Sequence, residues 1–546
     1  MKEENFDKIK NIKDIKEIFI NLFPIFYERK NSINILSFCF YRINKKYDYK
    51  NNNSYIKLND DKFPLKLIFK NGIVRLKFKD YIYFFNIYKG SINKNNLKNY
   101  PPQNLVKVMF ENNQENVVMP VIYNIIHLKR YKGLNSKIYN LGENNLVTYF
   151  RQAKLNSMAV TVREKNITDS KSKLLLLKLA KILSLITPPK NIILLYEKEA
   201  NKYEESASVV YEKLIDLKYD NAYFIINKNS KHIDFIKNKY KTNIVYAHTF
   251  KHYFYFFKCH KFIGSESVPH SIELRAANKY IARKLSRKKY KFVFLQHGVM
   301  YMIALDSVSR TGFRKNGNEM PHDAKIVVSS KLEANHFIEL GGFEKKDLYI
   351  TGLPFYDRTV KKETADKIVI MPTWRNWDYN LLLTDYKKAS YYKFCKNLID
   401  NIPKEFKEKL YLLPHPLILN KFRNTDLKKW IPDIISYDKI LEDTALLITD
   451  YSSISYSAFY RGANVIFCWE ELEECMKHYK SHLMLNANNI FGDIIYKNNE
   501  LKQIVKDNYL KKQKPKYISN YKKIVEFHDN KNTDRLIKCL KKDNFI

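Results

Sequence analysis

Cysteine, acidic side chains and uninterrupted apolar runs are what this chain of 546 residues has little of. Its six cysteines, Cys39, Cys259, Cys395, Cys468, Cys475 and Cys539, are scattered and make no metal-ligand or redox spacing. They fit reduced thiols, which predicts a cytoplasmic protein rather than a disulfide-built secreted one. No uncharged apolar run approaches the ~20 residues that a membrane-spanning helix needs. The opening residues, MKEENFDKIKNIKDIKEIF, are charged throughout and lack the apolar core of a signal peptide. The expected setting is the cytoplasm, with at most peripheral attachment to the inner face of the plasma membrane.

Asp and Glu number 57 against 96 Lys and Arg, a formal charge of +39. Part of the excess is compositional drift, because Lys, Asn, Ile and Tyr are heavily used everywhere, as in proteins from AT-rich genomes. The rest favours anionic partners: nucleic acid, an anionic membrane or a phosphate-rich polymer. No recognisable nucleic-acid module accompanies the charge, and the lysines run along the whole chain. Nucleic acid is therefore not expected as a partner.

What is present is length and texture. A chain of 546 residues with 45% hydrophobic content exceeds one core and predicts two to four domains. Residues 1–30 read as a basic amphipathic helix, with Ile12, Ile15, Ile18, Phe19 and Leu22 near helical spacing. Over residues 31–165 the period becomes two. Leu65 to Phe69 and Val74 to Phe78 flank Asn71-Gly72, which predicts a tight hairpin turn. This stretch is expected to be an antiparallel β-rich accessory domain with a structural or acceptor-positioning role. Lys171 to Ile186, stopped by Pro188-Pro189, reads as a helix apolar nearly all round, of the kind buried between domains.

From Asn191 onward short apolar runs alternate with helical patterns. Ile192–Tyr196, Ala222–Asn227, Ile244–Ala247, Lys261–Gly264, Phe292–Leu295, Ile326–Ser329 and Leu348–Thr351 read as strands of a first series. Ile368–Met371, Leu410–Leu413, Ala445–Ile448 and Val465–Cys468 read as a second. The class is α/β, with two Rossmann-like domains, 166–358 and 359–546, facing a cleft.

Ligands of open parallel sheets sit beyond the carboxyl ends of strands, and four such ends carry unusual chemistry. Gln296-His297-Gly298 follows one, Pro372-Thr373-Trp374-Arg375 another, and Pro414-His415-Pro416 a third. The fourth, Thr449-Asp450-Tyr451-Ser452-Ser453, opens a short helix whose free N–H groups and dipole attract anions. Each alone has a plainer reading: a structural histidine, an ion-paired arginine, a rigid turn, an ordinary capped helix. Together they supply a base, a fork-shaped phosphate donor, a second imidazole and an anion-binding helix mouth. His297 lies in the first half and the others in the second, as a reaction in an interdomain cleft requires.

These four motifs resemble those of the CDP-glycerol glycerophosphotransferases, which build teichoic-acid-type poly(glycerol or ribitol phosphate) chains. Weaker echoes are Tyr203-Glu204-Glu205-Ser206, Gly352-Leu353-Pro354 before Asp357, and Phe527 to Arg535, so the resemblance covers roughly residues 190–540. It implies a GT-B pair of Rossmann-like domains and a transferase that moves glycerol phosphate, or ribitol phosphate, from a CDP-alcohol to an acceptor hydroxyl. CMP leaves, in teichoic-acid-like or capsular polymer synthesis. His297 matches the family's general base and His415 its second essential histidine. Thr373, Arg375, Asp450, Ser452 and Ser453 are expected to hold the donor phosphates, with Gln296, Gly298, Pro416 and Tyr451 in support. The donor is CDP-glycerol or CDP-ribitol. The acceptor is an anionic polyol phosphate or a lipid-linked glycan at an anionic membrane surface, and neither a metal nor another cofactor is expected. A neutral imidazole with a reference pKa of ~6.5 can take an alcohol proton at neutral pH. The alternative is a GT-B glycosyltransferase using a nucleotide sugar for capsule or surface polysaccharide. Departures from the family pattern are Leu295-Gln296 where Trp precedes the His, Val299-Met300 where Thr-Pro follows, Ser457 for an Asp, and Ala463-Asn464 for Lys-Pro. They bear on the acceptor and the polyol more than on the reaction type.

Overall fold

The computed structural model describes residues 21–41, 54–58, 61–76, 81–98, 105–112, 138–142, 145–152, 158–188, 190–240, 243–274, 276, 278–315, 317, 319–360, 362–378, 381–382, 385–415 and 418–546. They form two compact units, one from residues 1–178 with 275–287, the other from residues 179–274 with 288–546.

The first unit holds β1 (Asn21–Arg29), β2 (Ser32–Tyr41), β3 (Ser54–Leu58), β4 (Asp61–Leu76), β5 (Tyr81–Asn93), β6 (Leu105–Asn112), β7 (Tyr139–Asn140), β8 (Leu146–Gln152) and β9 (Met158–Glu164). They make one antiparallel sheet in the order β1-β2-β5-β4-β3-β6-β9-β8-β7. Alternate residues such as Ile33 and Ile35, Ile56 and Leu58, Val160 and Val162 form its core, as the two-residue period of a strand requires.

Three local expectations do not hold. Residues 1–20 lie outside the described residues, but Asn21–Arg29 is an edge strand paired with β2 rather than the end of a helix. Pro24 opposes a helix and is tolerated on a sheet edge, while Phe26 stacks on Phe150 at 4.0 Å. Asn71-Gly72 is not a hairpin turn either, since β4 runs through it and pairs with β5 along its length. The register shifts between Leu67 and Phe69 and again between Phe69 and Gly72; the glycine marks a bulge. The helix Lys171–Ile186 is present but not buried all round. Leu177, Ala180 and Ser184 face inward, three and four residues apart, while Leu175, Leu179, Ile182, Leu185 and Ile186 are exposed.

The second unit contains two parallel sheets. β10 (Ile193–Tyr196), β11 (Ala222–Ile226), β12 (Ile244–Tyr246), β13 (Lys261–Gly264), β14 (Lys291–Phe294), β15 (Ala324–Val328) and β16 (Leu348–Ile350) stand in the order β12-β11-β10-β13-β14-β15-β16. β17 (Lys367–Ile370), β18 (Leu410–Leu412), β19 (Thr444–Thr449), β20 (Asn464–Cys468) and β21 (Asp493–Ile495) stand in the order β18-β17-β19-β20-β21. The continuous apolar runs are buried on both faces, as in β10 and β20, because helices cover a parallel sheet on either side. The second unit is a GT-B-like pair of Rossmann-like halves, and the first is an antiparallel accessory sheet. Chain direction across each sheet reverses between β10 and β13 and between β17 and β19, and such switch points open crevices at strand ends.

The last helix, Asn532–Lys542, does not stay with the second half from which the chain emerges. Asp357, just past β16, accepts hydrogen bonds from Asn532 N (2.9 Å), Thr533 N (2.7 Å) and Thr533 Oγ1 (2.6 Å) and so caps that helix. A Cβ on Gly352, whose φ is +79°, would fall 2.1 Å from Asn532 Oδ1. Two motifs distant in sequence, Gly352 to Asp357 and Phe527 to Arg535, thus meet in one contact.

Candidate active site

His297 is presented by a strained turn. Gln296, the second residue past β14, has φ +58°, a region unfavourable to residues other than glycine and asparagine. Its buried amide stabilises that shape: Nε2 donates to Val327 O at 2.6 Å, and Oε1 accepts from Met300 N at 3.1 Å. The sharp turn leaves the His297 side chain 47% exposed.

Behind His297 stands an acidic group that motif reading did not select. Glu266 lies just past β13, the strand hydrogen-bonded to β14, and its Oε1 is 3.8 Å from His297 Nδ1. Burial pushes the Glu266 carboxyl up, and the charge of His297 opposes that shift. The other oxygen, Oε2, is 3.9 Å from His270 Nε2. Glu199 N donates to His270 Nδ1 at 3.3 Å, which places the His270 proton on Nε2, toward Glu266. Burial, helped by Lys198 and His297, lowers His270 to about 4. A signal for Glu266 existed in the sequence, since it follows an apolar strand in the same way as the four chosen motifs.

In the second half, Asp450 joins the ends of β17 and β19. Its Oδ1 accepts from Thr373 N (2.8 Å), Thr373 Oγ1 (2.6 Å) and Tyr451 N (2.6 Å). Asp450 is fully buried, and burial raises its carboxyl. Its place is therefore inside the turn, fixing Thr373 against the Ser452-Ser453 segment. Tyr451 is buried beside Tyr479, with ring centroids 6.4 Å apart. Ser452 and Ser453 are both half-buried at the start of the helix Ile454–Tyr460.

Arg375 is turned inward. It is 1% exposed, pairs with Glu471, lies over the Phe394 ring at 4.6 Å, and donates to Ser390 Oγ at 3.4 Å. Its guanidinium is enclosed by Glu471, Ser390 and Phe394 and does not form the open phosphate fork expected from the motif.

His415 stacks on Trp374, with centroids 5.2 Å apart and ring planes 29° apart. Its backbone N–H donates to Tyr391 Oη at 3.4 Å, and that hydroxyl donates to Pro372 O at 3.1 Å. Burial first, and the Lys198 ammonium second, lower His415 to about 4. It is neutral at physiological pH. Pro416 lies outside the described residues.

The two halves meet at Gly298, where a Cβ would stand 3.3 Å from Ser453 Oγ. The glycine next to His297 therefore lies directly against the serine pair. His297, Gly298 and Ser453 are brought together, as are Thr373 with Asp450 and His415 with Trp374. Arg375 stands apart from the opening. Lys198, Glu266, His270 and Trp374 are the side chains that the motif reading did not select.

The profile of the family CDP-Glycerol:Poly(glycerophosphate) glycerophosphotransferase matches residues 179–542. The Bacillus subtilis (strain 168) minor teichoic acid biosynthesis protein GgaB is 25% identical over 345 residues, 58% of this chain. The chain spans only 36% of that curated relative's length. Structures of similar fold include the wall teichoic acid polymerase TagF, at 16% identity and TM-score 0.47, over 68% of this chain and 95% of that one. The S. aureus MnaA–UDP co-structure is similar at 12% identity and TM-score 0.37, over 65% of this chain and 98% of its own. With the matched segment covering residues 179–542, the chain belongs to the CDP-glycerol:poly(glycerophosphate) glycerophosphotransferase family.

Proposed function

We propose that this protein transfers glycerol phosphate from CDP-glycerol to a hydroxyl of a polyol-phosphate acceptor in the synthesis of a teichoic-acid-like or capsular polymer. The carrying observation is the contact at Gly298: it sets His297, an exposed imidazole next to the strained Gln296 at a strand end, beside Ser453 of the opposite half. CDP-ribitol and a lipid-linked acceptor fall within the same reading.

In the proposed reaction His297 Nε2 takes the proton of the acceptor hydroxyl. The freed oxygen forms a bond to the phosphorus bearing glycerol, and the bond from that phosphorus to the bridging diphosphate oxygen breaks. CMP leaves with that electron pair, so a dianionic diphosphate becomes a monoanionic diester, a CMP dianion and a proton on His297. Glu266 near Nδ1 favours the tautomer with Nε2 free and stabilises the imidazolium. The Ser452-Ser453 turn offers hydroxyls and N–H groups to the diphosphate. His415, kept neutral by burial and stacked on Trp374, serves as a hydrogen-bonding partner rather than a cation.

Attachment to an anionic membrane is part of the proposal. Among the described residues no helix is long and apolar enough to cross a membrane. The exposed leucines and isoleucines of Lys171–Ile186, interspersed with Lys173, Lys178 and Lys181, suit an interfacial position.

The test is CMP release from a donor panel of CDP-glycerol, CDP-ribitol and nucleotide sugars with a short polyol-phosphate acceptor. Turnover is expected with a CDP-alcohol and none with the sugars. His297→Ala and His415→Ala should each lower it at least ~10²-fold without changing the circular dichroism. Sugar transfer, or near-normal turnover in the His297→Ala protein, would overturn the assignment.

A further inference from the structure

The wall of the first half carries a cation that the proposed chemistry has not used. Lys198 is the second residue past β10, one of the two strands between which chain direction across the sheet reverses. The backbone beside it is strained: Glu199 and Ala200 have φ of +53° and +55°, and side chains disfavour that region. Three hydrogen bonds hold the turn. Glu199 N donates to His270 Nδ1 (3.3 Å), Asn227 N to Ala200 O (2.6 Å), and Ser230 Oγ to Asn201 O (2.7 Å). Strain kept in this way is a mark of functional segments.

The neighbouring lysines are neutralised. Lys202 pairs with Glu204 and Glu205, and Lys231 with Glu204. Glu197, adjacent in sequence, is buried and accepts from Glu204 N, Glu205 N and Ser208 N at 2.8–2.9 Å. Lys198 is exposed and forms no ion pair among the described residues. Its charge nevertheless bears on Glu266 and His270 of its own half and on His415 of the other. Geometry ties the turn to the site: Glu199 N meets His270 Nδ1, and His270 and His297 flank the two oxygens of Glu266. An unneutralised ammonium on the wall that carries His297 suits an anion arriving there.

We propose that Lys198 binds the diphosphate of the CDP-alcohol, placing its ammonium against phosphate oxygens between His297 and His415. This rests on the reaction proposed above. The donor is the phosphate source, rather than the acceptor's phosphodiester, because Gly298, next to His297 on the same wall, would place a Cβ 3.3 Å from Ser453 Oγ of the turn assigned to the diphosphate.

Lys198→Met and Lys198→Arg test the assignment, with CDP-glycerol and a short poly(glycerol phosphate) acceptor varied separately and CMP release measured. Being exposed, the position tolerates both changes without unfolding. Lys198→Met should lower kcat/KM for CDP-glycerol by about 10²-fold and leave the acceptor KM unchanged, and Lys198→Arg should recover a large part of the loss. In protein selectively labelled at histidine, the NMR titration midpoint of His415 should rise in Lys198→Met, since a nearby positive charge is removed. Unchanged donor kinetics, an effect confined to the acceptor KM, or an unmoved His415 midpoint would overturn the assignment while leaving the reaction standing. No turnover of any CDP-alcohol by the unsubstituted protein would overturn both.

Discussion

Gly298 is where a missing side chain is a spatial requirement. The 3.3 Å left between a would-be Cβ and Ser453 Oγ admits a methyl group only tightly, and a branched side chain would push the serine pair from His297. Gly298→Val is expected to cut CMP release at least ~10-fold, because small misplacements of reacting groups are costly. The melting temperature should stay close to that of the parent protein. Equal losses of stability and turnover would instead make the residue merely structural. His297 itself was legible, because an imidazole after an apolar strand is visible in one dimension. The left-handed turn at Gln296 and the approach of Glu266 were not, since strand pairing between β13 and β14 creates them. Arg375 shows the converse. Its motif suggested an open fork, and nothing local revealed that Glu471, distant in sequence, would occupy it.

Strands of the second unit were legible almost to the residue, because both faces of a parallel strand are apolar and the runs stand out. β21 escaped notice: it is only three residues long, Asp493–Ile495, and begins with a charge. The accessory sheet was legible as a class but not in its connections. An Asn-Gly pair specifies a tight turn only if the strands on either side pair with each other, and β4 pairs with β5 instead. Among turns, the one built on Asp450 joins two strand ends through a single oxygen that accepts three hydrogen bonds. Asp450→Ala removes that acceptor and should cost about 1–3 kcal/mol for each donor left unsatisfied. Asp450→Asn keeps an oxygen in place and should cost less. Urea unfolding midpoints measure both, and equal midpoints for the two variants would refute this account of the turn.

At the scale of the whole molecule, acid is the expected weakness. Burial lowers His252 to about 3 and His270, His336 and His415 to about 4, against ~6.5 for an unfolded histidine. Each therefore binds its proton more weakly when folded. Their stabilising contribution is fully present above about pH 6.5 and is lost as pH falls toward 4. Raised carboxyls such as Glu266 and Asp450 act in the opposite sense, so the check is a difference. The melting temperature of a His252→Gln protein should fall less steeply across that window than that of the parent, and equal slopes would contradict the neutral, buried state of this imidazole.

The cap that Asp357 places on Asn532–Lys542 has a consequence for how the chain becomes a protein. On the ribosome the first parallel sheet is made before the helix that closes against it, and the whole second sheet lies between them in the chain. The earlier half must wait, its docking surface open, until the rest has been threaded out. Neither half can be excised as a finished piece at the boundary between the two sheets.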